Sequence, residues 1–249
     1  VGGPTANFRH PSCSKQLERG MCKNRDCLYP KPCRELYVDH SDYLDVLKQV
    51  RALPKVKKVF IRSGIRYDYL MADRDRTFIK ELCANHVSGT LKVAPEHSSP
   101  EVLSYMHKPS IDVFTRFAKE YFRENDRLGK KQYLIPYLIS SHPGSTLRDA
   151  VELAEFLNRY GFVPDQVQDF YPTPATLATC MYYTEMNPFT GENVYVAKDM
   201  EEKKMQRALI HYNRPENRQL VKKALIKAGR EDLISVLLPP QNRKGKKRR

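Results

Sequence analysis

The sequence predicts an α/β protein built on a mostly parallel sheet. Short β-branched and aromatic runs alternate with amphipathic helical stretches, and the connections between them are brief. Polar, Pro and Gly residues gather where those runs end, at Arg62-Ser63-Gly64, Pro95-Glu96-His97, His142-Pro143-Gly144 and Tyr171-Pro172-Thr173-Pro174. In such sheets ligands bind beyond the carboxyl ends of the strands, so these are the places where chemistry is expected.

The elements follow in order. Residues 8–38 form a cysteine-rich loop, in which Cys13, Cys22, Cys27 and Cys33 are separated by eight, four and five residues. Pro11, Pro30, Pro32 and many charges lie among them, with few large apolar side chains, so the loop needs a clamp. Four thiolates around tetrahedral zinc or an iron–sulfur cluster would supply one. Reduced or redox-paired thiols are a second reading, and structural disulfides, rare in cytosolic chains, a third.

Asp39 or Ser41 can then cap a helix whose apolar face is Tyr43, Leu44, Leu47, Val50 and Leu53, ended by Pro54. Val56–Ile61 reads as a buried strand. A second helix carries Phe78, Ile79, Leu82 and Cys83 on one face, which makes Cys83 a core residue. Gly89–Ala94 is the next strand, expected to be broken by Pro95, and two helical stretches follow, near Ser99–His107 and Ile111–Leu128. Lys131–Ser140 is a further strand. The helix after it carries Leu147, Val151, Leu153, Ala154 and Leu157 and is closed by Gly161. Asp165–Tyr171 is the last strand, stopped by Pro172 and Pro174. Past Tyr183 a turn-rich stretch leads into helices with Lys and Arg on their polar faces, one beginning at Asp199 and another opened by Pro215.

The 249 residues carry 43 Lys+Arg against 29 Asp+Glu, a net charge of +14 that favours phosphate-bearing partners, RNA among them. Six of those positive charges sit in the last eight residues, a block expected to be solvated and disordered. No run approaches the roughly 20 apolar residues that cross a bilayer, and no secretory signal pattern is present, so the expectation is a cytoplasmic protein without a membrane partner.

These strand ends resemble the later strands of the radical S-adenosylmethionine (SAM) partial barrel, and the wording is close to the YgiQ type within that superfamily. The match is carried by Val1-Gly2-Gly3-Pro4-Thr5-Ala6-Asn7, Ser63-Gly64-Ile65-Arg66-Tyr67-Asp68, Leu91-Lys92-Val93-Ala94-Pro95-Glu96-His97, Met106-His107-Lys108-Pro109, Gln132-Tyr133-Leu134-Ile135-Pro136-Tyr137, His142-Pro143-Gly144 and Val167-Gln168-Asp169-Phe170-Tyr171-Pro172-Thr173-Pro174. From Cys180-Met181-Tyr182-Tyr183-Thr184 onward the chain resembles that family's C-terminal extension. The resemblance implies a (β/α)6-type partial barrel with strands 2 to 6 present over 1–180, a helical extension over 181–240 and a basic tail over 241–249.

It also implies an enzyme that cleaves SAM reductively to a 5′-deoxyadenosyl radical, with a [4Fe–4S] cluster and a flavodoxin- or ferredoxin-type electron donor. Gly2, Gly3, Ser63, Arg66, Lys92, Glu96 and Gly144 are the implied SAM-binding residues. Lys92 has two further readings, pointing outward on the pleat or bridging to Glu96. The CxxxCxxC segment that holds the cluster in the family is absent from the sequence, so the resemblance implies an N-terminally truncated piece, inactive on its own. In that setting Cys13, Cys22, Cys27 and Cys33 would hold an auxiliary cluster or zinc. The alternative reading is a basic RNA-binding or RNA-modifying module with a metal-clamped loop.

Overall fold

The computed structural model describes residues 7–8, 11–165 and 167–239. Gly2, Gly3 and the basic tail lie outside the described residues. The elements are α1 (Ser14–Arg19), α2 (Ser41–Ala52), α3 (Tyr67–Ala72), α4 (Thr77–Glu81) running into a π-helical turn (Leu82–His86), β1 (Thr90–Glu96), α5 (Pro100–Tyr105), α6 (Ile111–Arg127), β2 (Tyr133–Ser140), α7 (Leu147–Tyr160), β3 (Val167–Asp169), α8 (Leu177–Thr184), α9 (Met200–Ile210), α10 (Arg218–Lys227) and α11 (Ile234–Leu237).

The α/β class holds. Three strands form a sheet in the order β1-β2-β3. β2 and β3 run parallel, with Leu138 opposite Val167 and Ser140 opposite Asp169. Tyr133 N donates to Gly89 O at 2.8 Å, start against start, so β1 is parallel to β2 as well. Three described strands are fewer than the expected barrel requires. Val56–Ile61, expected as a strand, is not one: residues 58–61 alternate in burial, but the ladder comes to one bond among the described residues, Ile61 N to His86 O. The strand expected to break at Pro95 instead runs on to Glu96. Among the described strands β1 lies at the edge, where a missing N–H can face away from the neighbour. Pro136 is tolerated inside the central strand for a related reason, because pairing with β3 begins only at Leu138.

The chain divides into two compact units, Val1–Ala94 with His107–Ile135, and Pro95–Met106 with Pro136–Arg249. The core of the first is aromatic. Tyr67 meets Phe114 edge-on at 5.6 Å and lies 5.8 Å from Phe117, joining α3 to α6, while His40 stacks on Phe78 at 4.3 Å. Cys83 is fully buried, as its helical face predicts, and burial pushes its thiol up to about 12.

The second unit packs α7 against α9 and α9 against α10 through Val151, Leu153, Ala154, Leu157, Met205, Leu209, Val221 and Leu225, all buried. Burying each of the Val, Leu and Met side chains contributes about 1.5–3 kcal/mol. α7 starts at a capping box, Thr146 with Asp149, and ends on Gly161 at φ +69°, the left-handed cap the sequence predicts.

Candidate functional site

Strand alternation sorts the candidate residues first. Along β1, Leu91, Val93 and Pro95 are buried, while Thr90 and Lys92 are exposed and Ala94 and Glu96 half-buried. Along β2, Leu134, Pro136, Leu138 and Ser140 are buried and Ile135, Tyr137 and Ile139 half-buried. One face of each strand is therefore closed and the other accessible, and Lys92 lies on the accessible face. Among the described residues Lys92 forms no ion pair, so no bridge to Glu96 is made.

In the first unit Gly64 lies against β1. A Cβ added there would stand 2.9 Å from Lys92 O, so no other residue lets the chain approach β1 this closely. Ser63 is half-buried beside it. Arg66 is engaged: its guanidinium clamps Asp68 through Nε at 2.8 Å and a terminal nitrogen at 2.6 Å, and lies 5.3 Å over the Phe8 ring. Asn7 fixes the Arg66 backbone, accepting from Arg66 N at 2.7 Å and donating to its carbonyl at 3.1 Å. Buried Asn7 also meets His40 Nε2 at 3.3 Å, and His40 Nδ1 meets Asp73 at 2.6 Å. Sequence gives Asn7 no role of its own, because a partner 59 residues away leaves no local signal.

In the second unit the carboxyl ends of β1 and β2 are strained and polar. Glu96 adopts φ +67° and Ser141 φ +57°, left-handed values that cost of order 1 kcal/mol or more for residues with a Cβ. Gly144 adopts φ +89°, and a Cβ there would stand 2.2 Å from the Tyr105 ring. His97 is completely buried. Its Nδ1 accepts from Ser99 N at 3.0 Å and its Nε2 faces Ser145 Oγ at 3.5 Å, and desolvation holds it neutral, lowering it to about 4.

Gln206, from α9, locks the two turns: it accepts from Ser141 N and Ser145 Oγ and donates to Ser145 O. His142 is buried, with Nδ1 2.8 Å from Pro143 O, and burial lowers its pKa too. Two hydroxyls, Ser98 Oγ and Ser141 Oγ, are buried with no hydrogen-bond partner among the described residues. An unpaired buried hydroxyl costs about 1–3 kcal/mol, and a ligand oxygen or nitrogen would repay it. Sequence singles out neither serine, because small polar residues at strand ends read equally well as turn formers.

A further cavity of about 520 Å³ in this unit is lined by Tyr137, Asp165, Asp169, Arg207, His211 and Arg214. Asp169 is held by Arg207 and by Ser140 Oγ, both at 2.6 Å, and His211 Nδ1 is buried without a partner.

The cysteine-rich loop is clamped by its own contacts. Ser12 N donates to Gln16 Oε1 at 2.6 Å, Tyr37 N to Ser12 O at 2.8 Å and Cys33 N to Cys27 O at 2.9 Å. His107 pairs with Asp26 at 2.7 Å and stacks on Tyr29 at 5.1 Å, and Leu28 is buried. Burial first, and then the neighbouring thiols, push Cys27 up. Cys13, Cys22, Cys27 and Cys33 form no disulfide. Among the described residues no group of three or more His, Cys, Asp or Glu side chains is arranged to hold a metal.

An α/β protein with one accessible sheet face and strained, polar strand ends is the class these observations define. Residues 165–248 match a family model described as a domain of unknown function, DUF3362. The chain is 58% identical over 234 residues, 94% of its length, to a UPF0313 protein of Clostridium botulinum strain 657, of which it covers 37%. A UPF0313 protein of Clostridium perfringens strain SM101 is likewise 58% identical over 94% of the chain, which covers 35% of that relative. Over this aligned length the chain is similar to proteins named UPF0313, the YgiQ family. It spans about a third of the length of the curated relatives it matches.

Proposed function

We propose that the chain is part of a radical SAM iron–sulfur enzyme. The observation that supports this reading best is the pair of buried, unpartnered hydroxyls, Ser98 and Ser141, at strand ends where Glu96, Ser141 and Gly144 hold left-handed backbone. Ribose hydroxyls and an adenine edge are ligand groups of the right polarity to satisfy them. Glu96 is a carboxylate acceptor for ribose hydroxyls, and Gly144 keeps the turn free of a side chain. In the first unit Arg66 acts through Asp68 to fix its own loop. Together a bound [4Fe–4S] cluster and SAM would supply a 5′-deoxyadenosyl radical for hydrogen abstraction from a substrate. The cluster's three cysteines are proposed to come from outside these 249 residues, and the electron from a flavodoxin- or ferredoxin-type donor.

The test is anaerobic reconstitution of a full-length UPF0313 relative with iron and sulfide, followed by dithionite and SAM. Formation of 5′-deoxyadenosine is the expected result, and its absence with an intact cluster, seen by electron paramagnetic resonance, overturns the reading. In the same protein, Ser141→Ala, which removes the orphaned hydroxyl without adding bulk or a β-branch at φ +57°, is expected to weaken SAM binding roughly tenfold by calorimetry.

A further inference from the structure

The first unit holds a cavity of about 370 Å³, within the roughly 300–1,000 Å³ of ordinary ligand pockets. It is lined by Arg51, Lys57, Lys58, Phe60, Asn85 and Lys130 among others, and no carboxylate is among its lining residues. Two of its cations are already engaged. Arg51 donates to Glu81 at 2.9 Å, and Lys130 reaches the carbonyls of Cys83 and Ala84 in the π-turn.

Lys57 and Lys58 are exposed and form no ion pair among the described residues. Val59 and Ile61 face inward and Lys58 and Phe60 outward, so these last two project on the same side of an extended run, about 7 Å apart. Phe60 is 36% exposed. A large aromatic ring left accessible beside unpaired lysines, with an amide and a hydroxyl at Asn85 and Ser88, is the combination that takes a base on its face and a phosphate on its cations.

We propose that this cavity is a nucleotide-binding site in which Lys57 and Lys58 receive a phosphate and Phe60 stacks on the base. The ligand chemistry is that of a nucleoside phosphate, free or within a single-stranded RNA. The site stands independently of the radical SAM reading, since none of its residues is among those assigned to SAM.

The test measures binding of a fluorescein-labelled twelve-nucleotide oligouridylate to the full 249-residue chain by anisotropy across a potassium chloride series. Lys57→Ser/Lys58→Ser is expected to weaken binding about tenfold at low salt and to flatten the log–log salt slope by roughly 0.7 for each phosphate that is no longer neutralised. Phe60→Leu is expected to weaken binding about tenfold with the slope unchanged, because stacking releases no counterions. Lys222→Ser/Lys227→Ser, which removes the same charge from α10 and leaves the basic tail in place, is the control. Displacement of the oligonucleotide by uridine 5′-monophosphate identifies a free nucleotide as the ligand, and no displacement at millimolar concentration identifies a strand. Cavity variants that behave as the α10 control does, or a wild-type chain that binds neither probe at low salt, overturn the proposal. All the substituted side chains are exposed, and thermal melts confirm that each variant folds.

Discussion

At Gly144 a single methyl group meets two obstacles. The Tyr105 ring occupies the space a Cβ needs, and φ +89° disfavours any L side chain. Gly144→Ala is expected to lower stability by about 3 kcal/mol in urea unfolding, the sum of overpacking and backbone strain. In Gly144→Ala/Tyr105→Ala the steric part vanishes and the backbone part stays, so the double-mutant cycle shows strong coupling.

His97 gives a pH signature. It stays neutral when folded down to about pH 4, whereas an unfolded histidine takes up its proton near 6.5. Its contribution is therefore intact above pH 6.5 and is lost as pH falls from 6.5 towards 4, about 3 kcal/mol in all. His40, His142 and His211 shift in the same direction. The readout is accordingly the difference between wild type and His97→Gln across that window, expected to shrink with falling pH. The sequence names Glu96 and Gly144 as strand-end residues; Pro143-Gly144 is a signal for positive φ, but nothing in a glutamate betrays the left-handed backbone of Glu96. It leaves the direction of Lys92 open, because the phase of an alternating strand depends on which side the helices pack.

The π-turn that continues α4 shows what apolar spacing conceals. Phe78, Ile79, Leu82 and Cys83 mark one face whether the backbone winds with α or π bonding, and all four are buried as expected. What holds the wider turn comes from 45 to 49 residues away, where Gln132 Nε2 donates to Cys83 O at 3.0 Å and to Val87 O at 3.4 Å. Gln132→Leu leaves those carbonyls without this donor and is expected to cost about 1–3 kcal/mol, with faster amide hydrogen exchange confined to 82–87. Helix ends are more legible, because Thr146 with Asp149 and Gly161 are local signals for local bonds. Val56–Ile61 has strand composition without a described ladder, and composition cannot supply a pairing partner. The cysteine-rich loop reads as needing a clamp, and His107, Tyr29, Leu28 and a few backbone bonds supply contacts there that come from residues too far apart in sequence to announce themselves.

Across the molecule, the class of fold is legible because alternating strand and helix periods leave few topologies open. The extent of the sheet is not, since a strand's neighbours are chosen at long range. Among the described residues no helix is long and apolar enough to cross a membrane.

The division into two units has a consequence for how this protein can be dissected. The backbone passes between units at Ala94/Pro95, Met106/His107 and Ile135/Pro136, and the first and last of these passages fall inside β1 and β2. Neither unit is therefore a contiguous stretch of gene. A shuffling or truncation boundary placed anywhere from 95 to 135 splits both, so the two are inherited, expressed and engineered as one piece.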